Sequence, residues 1–349
     1  MNRVVGNALL ICAPLIVTAQ GVVVRSQSAG QLNVCHAGSV QAAFTVVEKK
    51  LTAQHPGLVL KDISGGSVAL AARLAAGLQP CDVYASADYQ TIDLLLKPLG
   101  LADYTIVFAK GRMVLAYLAT DPKTEGIASA GDFRPPTSIP SAAPDWYQVL
   151  LAPGIRLLSS HPFLDPSGYR TYMIFRLAQT YYNVPNLSNL LLEHLMINAA
   201  AGVDALNAPT LGRDYNFQFI YEHSAAAAAR GNPHYRYVTV PDRIDLSSTN
   251  NNGDYARASV IIPALGPPGK LASVSIPATR VAWGLTILKE TRNLENATAF
   301  VNLLLGATGT AAFNDNGPTP IAPALVNPSD YPRLPKATQS LVTAGPIKP

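Results

Sequence analysis

Charge is scarce in this chain: Asp, Glu, Lys and Arg make up only 14% of its 349 residues, and the net charge is +4. The basic residues are scattered, with no stripe of Lys and Arg interleaved with aromatics, which argues against nucleic acid as a partner. Cysteine is nearly absent, at three residues, and none stands in the setting of a catalytic nucleophile. Also missing are a Gly-x-Ser-x-Gly elbow, a His-Glu-x-x-His metal motif and any repeat at solenoid periods. Beyond the first twenty residues no apolar run is long enough to cross a bilayer. What is present is an apolar fraction of 48%, which argues against disorder, in a chain long enough for two domains with their own cores.

The N-terminus begins Met1-Asn2-Arg3 and continues into the apolar run VVGNALLICAPLIVTA, which ends in small residues near Thr18-Ala19-Gln20. That is the layout of a secretory signal peptide over residues 1–20. Pro14 interrupts the run, and its apolar core falls short of the ~20 residues a membrane span needs, so a cleaved leader is favoured over a retained anchor. Cys12 has no small residues ahead of it, which disfavours a lipid-attachment box. The mature protein is therefore expected to be soluble and exported, to the periplasm or the extracellular space. It keeps Cys35 and Cys81, which either pair in an oxidising compartment or remain two buried thiols.

From residue 31 the pattern alternates strand and helix. LNVCHA runs into Gly38-Ser39, and a helix follows with Val40, Phe44, Val47 and Leu51 on one face. LVLKDI leads to Gly65-Gly66 and then Ser67, which opens a second helix closed by Gly77. CDVYASAD is a third strand, with Asp88 as a cap. YTIVFA and MVLAYL are strands joined by Lys110-Gly111-Arg112. After a Pro-rich loop (134–145), a second strand-helix series contains SSHPFLDPSGYRTYMIFRLAQTYY, and FQFIYEHSAAAAARG is a strand feeding a helix. TRVAWGLTIL and ENATAFVNLLLG complete the chain's regular pattern. Strands alternating with helices imply an α/β fold with largely parallel sheets.

Three strand ends deliver Gly and a hydroxyl to the start of a helix: Ala37-Gly38-Ser39, Gly65-Gly66-Ser67 and Asp165-Pro166-Ser167-Gly168. Ligands of open α/β sheets collect at the carboxyl ends of the strands. Helix N-termini offer unpaired N–H groups and the positive end of a dipole, and Gly lets backbone approach the ligand. Taken singly, each is an ordinary cap. Together, and without a Lys-bearing phosphate loop, they suggest an oxyanion held by neutral donors.

On HAGSV, DVYASADY, DWYQVLLAPGIRLLSS, DPSGYRTYMIFRLAQTYY and AWGLTILKETRN followed by FVNLLLGATGTAAFNDNGPTPIAPA, the chain resembles the tungstate/molybdate-binding proteins of ABC importers, in their archaeal-type branch. The resemblance spans about residues 31–325. It implies the type II periplasmic-binding-protein fold, two lobes joined by a hinge of two crossing strands. Lobe 1 would take 31–110 plus 281–330, lobe 2 would take 111–280, and a tail at 331–349 falls outside. It further implies a monomeric receptor without a cofactor, whose ligand is tungstate or molybdate and whose partner is an ABC permease. Ser39 and Ser67 match the family's oxyanion-binding serines, Asp165 its direct metal ligand, and Ser167 a backbone donor. The second carboxylate of the pattern Phe-Glu-Tyr-x-Ser meets FIYEHS here. Aligned on Ser224, Glu222 and Tyr221 have changed places, so either of them could face the ligand.

A carboxylate suits tungsten(VI) or molybdenum(VI), hard centres that can expand their coordination by accepting its oxygen. Sulfate cannot do so, and like charges 4 Å apart cost ~4 kcal/mol at an effective dielectric near 20. Asp165 would thus admit a metal oxyanion and penalise sulfate. Other readings stay open: a sulfate-like anion, ferric iron held by Tyr181-Tyr182, or a secreted hydrolase using Asp165 and Glu222 as acid and base. Tyr181 and Tyr182 read first as core and rim, His36 as a packed strand-end residue, Arg170 as a surface-paired cation, and Trp146 and Trp283 as core or hinge packing.

Overall fold

Residues 30–127, 145–198, 209–266 and 270–347 are described by the computed structural model. The leader expected at 1–20, and the Pro-rich loop apart from its last residue, Asp145, lie outside the described residues. β1 (Gln31–Ala37) passes through a 3-10 turn at Gly38–Val40 into α1 (Gln41–Gln54). β2 (Val59–Gly65) leads into α2 (Ser67–Ala75), and β3 (Val83–Ser86) and β4 (Ile106–Lys110) follow. The chain then leaves for a second sheet with β5 (Met113–Leu118), α3 (Trp146–Leu150), β6 (Leu157–Ser160) and α4 (Pro166–Tyr182). α5 (Leu187–Glu193), β7 (Leu195–Asn198), β8 (Phe217–Tyr221), α6 (Glu222–Gly231) and β9 (Tyr235–Thr239) complete it. A hairpin, β10 (Ser259–Leu265) and β11 (Leu271–Pro277), precedes the return to the first sheet. There the chain adds β12 (Ala282–Ile287), α7 (Leu294–Leu305), α8 (Ala307–Asn316), β13 (Thr319–Val326) and β14 (Val342–Ala344).

Two sheet-rich lobes result. The first sheet runs β14-β13-β4-β12-β3-β1-β2 and the second β7-β6-β8-β5-β9. Expectation and structure differ in one respect: parallel pairings do not predominate. β1 pairs parallel with β2 and β3, but β12 is antiparallel to both β3 and β4. The reason is the return path, since a strand re-entering from the other lobe arrives in the opposite sense. β13 bulges between Pro320 and Leu325, where Pro320 and Pro323 withhold ladder donors. The residues beyond 330 supply β14, an edge strand parallel to β13.

The two lobe crossings touch each other: Gly111 N–H donates to Val281 O at 3.0 Å, joining the 110–113 passage to the 278–282 passage. In lobe 1, α1 buries Phe44, Val47 and Leu51, and Phe44 meets Phe300 of α7 with ring centroids 5.5 Å apart. β1 is buried along all but its first residue, as a central strand covered on both faces should be.

Cys35 and Cys81 are joined, so the disulfide is the alternative realised. The bridge closes a loop of sequence separation 46. By chain entropy such a loop is worth about 4 kcal/mol, with 2–4 kcal/mol the usual measured range. Cys35→Ala together with Cys81→Ala is therefore expected to lower the unfolding free energy by about 2–4 kcal/mol, read from the urea midpoint at unchanged slope.

Candidate functional site

Ser67 opens α2 and is fully buried. Its Oγ accepts from the N–H of Ala87 at 3.0 Å, so its own proton remains to be donated. Ser39, in the turn after β1, accepts at Oγ from Trp283 Nε1 at 3.0 Å and is left in the same condition. Among the described residues, each hydroxyl thus has its acceptor side engaged and its donor side available, the arrangement a negatively charged guest requires. Asp165 caps α4, with Pro166 at the first helical position. Its Oδ1 accepts from both the N–H and the Oγ of Ser167, at 2.8 and 2.7 Å, which leaves Oδ2 for another partner. The residue is only partly covered, yet burial raises its carboxyl pKa despite the opposing Ser167 bonds and the Arg170 charge.

These helix starts meet because the lobes are in contact. The N–H of Ala69, in the first turn of α2, donates to Leu164 O at 3.0 Å. Gly66 permits that approach, since a Cβ there would stand 2.5 Å from the same carbonyl oxygen. Tyr169 OH donates to Asp88 Oδ2 at 2.6 Å, and Arg170 donates from Nη1 to Ala87 O at 2.8 Å and to Tyr221 OH at 2.7 Å. Arg170 Nη2 lies 3.2 Å from Asp88 Oδ2. His223, with Nε2 2.8 Å from Ser39 O, ties α6 to the turn after β1. Burial pushes its pKa down to about 4, only partly opposed by the Ser39 carbonyl. Asp88 is both the expected cap, taking the N–H of Gln90, and a contact between the lobes.

Glu222 stands apart from this group. β8 buries Phe217, Phe219 and Tyr221 in alternation, so the next side chain turns the other way. Tyr221 is the residue carried inward, packed against Trp283 with ring centroids 4.9 Å apart. Glu222 is 39% exposed and pairs with Arg112 at 3.3 Å. That ion pair is separate from the contacts that join Ser39, Ser67 and Asp165. Arg170 is a correction: expected at the surface, it is 1% exposed. Tyr182 accepts from Trp146 Nε1 at 2.9 Å inside lobe 2, and the Tyr181 ring stands edge-on to it. Tyr181 and Tyr182 are therefore packed together, in the structural role read first. His36 is likewise fully buried.

Arg170, Asp88, Tyr169, Trp283 and His223 were missed as contacts between helix starts. One signal was available. Arg170 falls on the buried stripe of α4 with Met173, Ile174 and Leu177, and a charge on an apolar stripe demands a buried partner. Two sizeable cavities lie elsewhere, one of about 1010 Å³ beside Asn33, Asp82 and Glu290, the other of about 130 Å³ beside Tyr181 and Arg243. Neither touches Ser39, Ser67 or Asp165.

The family description "Bacterial extracellular solute-binding protein" matches the chain over residues 32–318. The chain belongs to this family. An uncharacterized solute-binding protein of Petrotoga mobilis is 31% identical, with 89% of each chain covered. The molybdate/tungstate-binding protein WtpA of Thermococcus kodakarensis is 28% identical over 83% of this chain and 82% of its own. Among solved structures, the sulfate-binding protein SubI from Mycobacterium tuberculosis H37Rv is similar at a TM-score of 0.54 and 17% identity. That match covers 84% of this chain and 87% of that one. At that identity the likeness speaks for the fold alone. As a solute-binding protein of this extracellular family, the chain has the two-lobed α/β architecture expected of it. Among the described residues, no helix is long and apolar enough to cross a membrane.

Proposed function

We propose that this solute-binding protein captures tungstate or molybdate between its lobes and presents the closed form to an ABC permease outside the cytoplasm. One observation carries the reading: the Ser39 and Ser67 hydroxyls, each with a proton to give, belong to the same set of touching helix starts as Asp165, whose Oδ2 is uncommitted. The hydroxyls and helix N-termini would hold oxygens of the guest, Ser167 would steady Asp165, and Asp165 would supply one oxygen to the metal. Tyr221 takes part through its bond to Arg170. The guest would stabilise closure because it touches both lobes only when they meet. With Glu222 held by Arg112, the proposed site has one carboxylate at the metal instead of two. The molybdate/tungstate-binding relatives support this choice of ligand.

A sulfate-like guest is the second reading, because neutral hydroxyls and helix N-termini can hold any tetrahedral oxyanion, and burial shifts Asp165 in the direction of less charge. Thermal shift separates the two. Tungstate and molybdate at 100 times their dissociation constants should each stabilise the protein by about 2.7 kcal/mol, with sulfate inert at the same concentration. Equal stabilisation by sulfate would reduce Asp165 to a helix cap.

A further inference from the structure

His36, three residues before Ser39, belongs to a second cluster. Its ring is fully buried against Phe44, with centroids 4.7 Å apart. Nδ1 lies 2.9 Å from Ala37 O, and Nε2 lies 2.7 Å from Oδ1 of Asp62 on β2. Gln41 Nε2 donates to the other oxygen of Asp62. Glu48 shares the inward face of α1 with Phe44, Val47 and Leu51, and it is 8% exposed. Its Oε1 is buried and, among the described residues, has no hydrogen-bond partner. One donor atom from each of His36, Glu48 and Asp62 lies within 4.8 Å of the other two.

A helix that buries apolar side chains at 44, 47 and 51 gives a core position to a carboxylate at 48. A buried carboxylate oxygen without a partner is disfavoured unless a proton or a cation meets it. We propose that His36, Glu48 and Asp62 bind one divalent transition cation, zinc being the best fit. One imidazole and two carboxylates form a three-ligand set that leaves a fourth position for water. Calcium and magnesium prefer all-oxygen shells, which a buried imidazole does not provide. The Ala37 carbonyl and Gln41 supply the outer contacts that orient a ligating histidine and carboxylate. A neutral imidazole and two carboxylates also balance the charge of the ion. Donors on a tetrahedral zinc stand about 3.3 Å apart, so the His36–Asp62 contact must open slightly and Glu48 must close in.

The test titrates zinc into chelator-stripped protein by calorimetry, with no oxyanion present, so its outcome is independent of the function proposed above. The expected result is one zinc per chain at micromolar concentration and a raised thermal transition. Glu48→Gln and His36→Asn should each weaken zinc at least about tenfold, whereas His234→Ala, at an exposed position, should leave it unchanged. Cobalt(II) bound to the unaltered protein should show the visible bands of a four-coordinate nitrogen and oxygen site, a readout that needs no variant to fold. No binding at millimolar zinc, an octahedral cobalt spectrum, or folded Glu48→Gln and His36→Asn proteins that bind as the parent does would each overturn the site.

Discussion

Asp165→Ala is expected to weaken tungstate binding by about 100-fold or more, equivalent to about 2.7 kcal/mol, and to leave the ligand-free fold nearly intact. The two effects separate because Asp165 holds two positions at once. As the cap of α4 it accepts from Ser167 through Oδ1, and loss of such a cap costs ~1 kcal/mol. As the proposed metal ligand it would supply the one carboxylate oxygen. Asp165→Asn keeps an oxygen for the cap but offers the metal a far poorer ligand, so it should resemble Asp165→Ala in affinity and the parent in stability. Sulfate, freed from a nearby negative charge, should bind no worse to either variant. Calorimetry showing tungstate affinity unchanged in Asp165→Ala removes the direct-ligand role.

The second large effect is in pH. His223, half-buried in the first turn of α6 against the turn after β1, has its pKa held down at about 4 by desolvation. In an open cleft the ring would return toward its ordinary 6.5. Between those values the open form binds a proton that the closed form refuses, so closure is favoured above pH 6.5 and loses ground as pH falls toward 4. Tungstate affinity should therefore drop by roughly 30-fold between pH 7.5 and pH 5, one and a half units below the open-form pKa. His223→Gln, which keeps an N–H for the Ser39 carbonyl and has nothing to protonate, should flatten that profile. Affinity measured at micromolar protein and oxyanion across this range decides the matter: an equal slope in the variant assigns the pH dependence elsewhere.

Much of the fold was legible because its strands and helices carry strong periodicity. The inward face of α1 falls on Phe44, Val47 and Leu51 as read, and Gly77, with φ of +69°, follows the end of α2. β13 was harder to see, since Pro320 and Pro323 break the strand pattern and the strand gains its place from β4 and β14. At the candidate site, the local features of the sequence reappear in the structure, with Ser39 in the turn after β1, Ser67 opening α2 and Asp165 capping α4, while the long-range contacts had no local signal. Gly and Ser at a helix start mark Ser39, Ser67 and Asp165 directly. The partners that join them come from far along the chain: Trp283 reaches Ser39 across 244 positions and His223 reaches it across 184. No local pattern encodes such a contact. Tyr221 and Glu222 show the intermediate case, where strand alternation decides which side chain turns inward once the register of β8 is fixed.

The position of β12 bears on how the molecule is made. It lies between β3 and β4, in the middle of the first sheet, yet it is contributed by residues 282–287. Until those residues have been synthesised, β3 and β4 each expose an unsatisfied ladder edge that another chain can engage. The N-terminal lobe thus cannot reach its final state as an early, self-contained unit during translation, whereas the strands of the second sheet are contiguous in the chain. The first sheet therefore stays unfinished until late, and a chain exported before residues 282–287 emerge would complete that lobe only on the far side of the membrane.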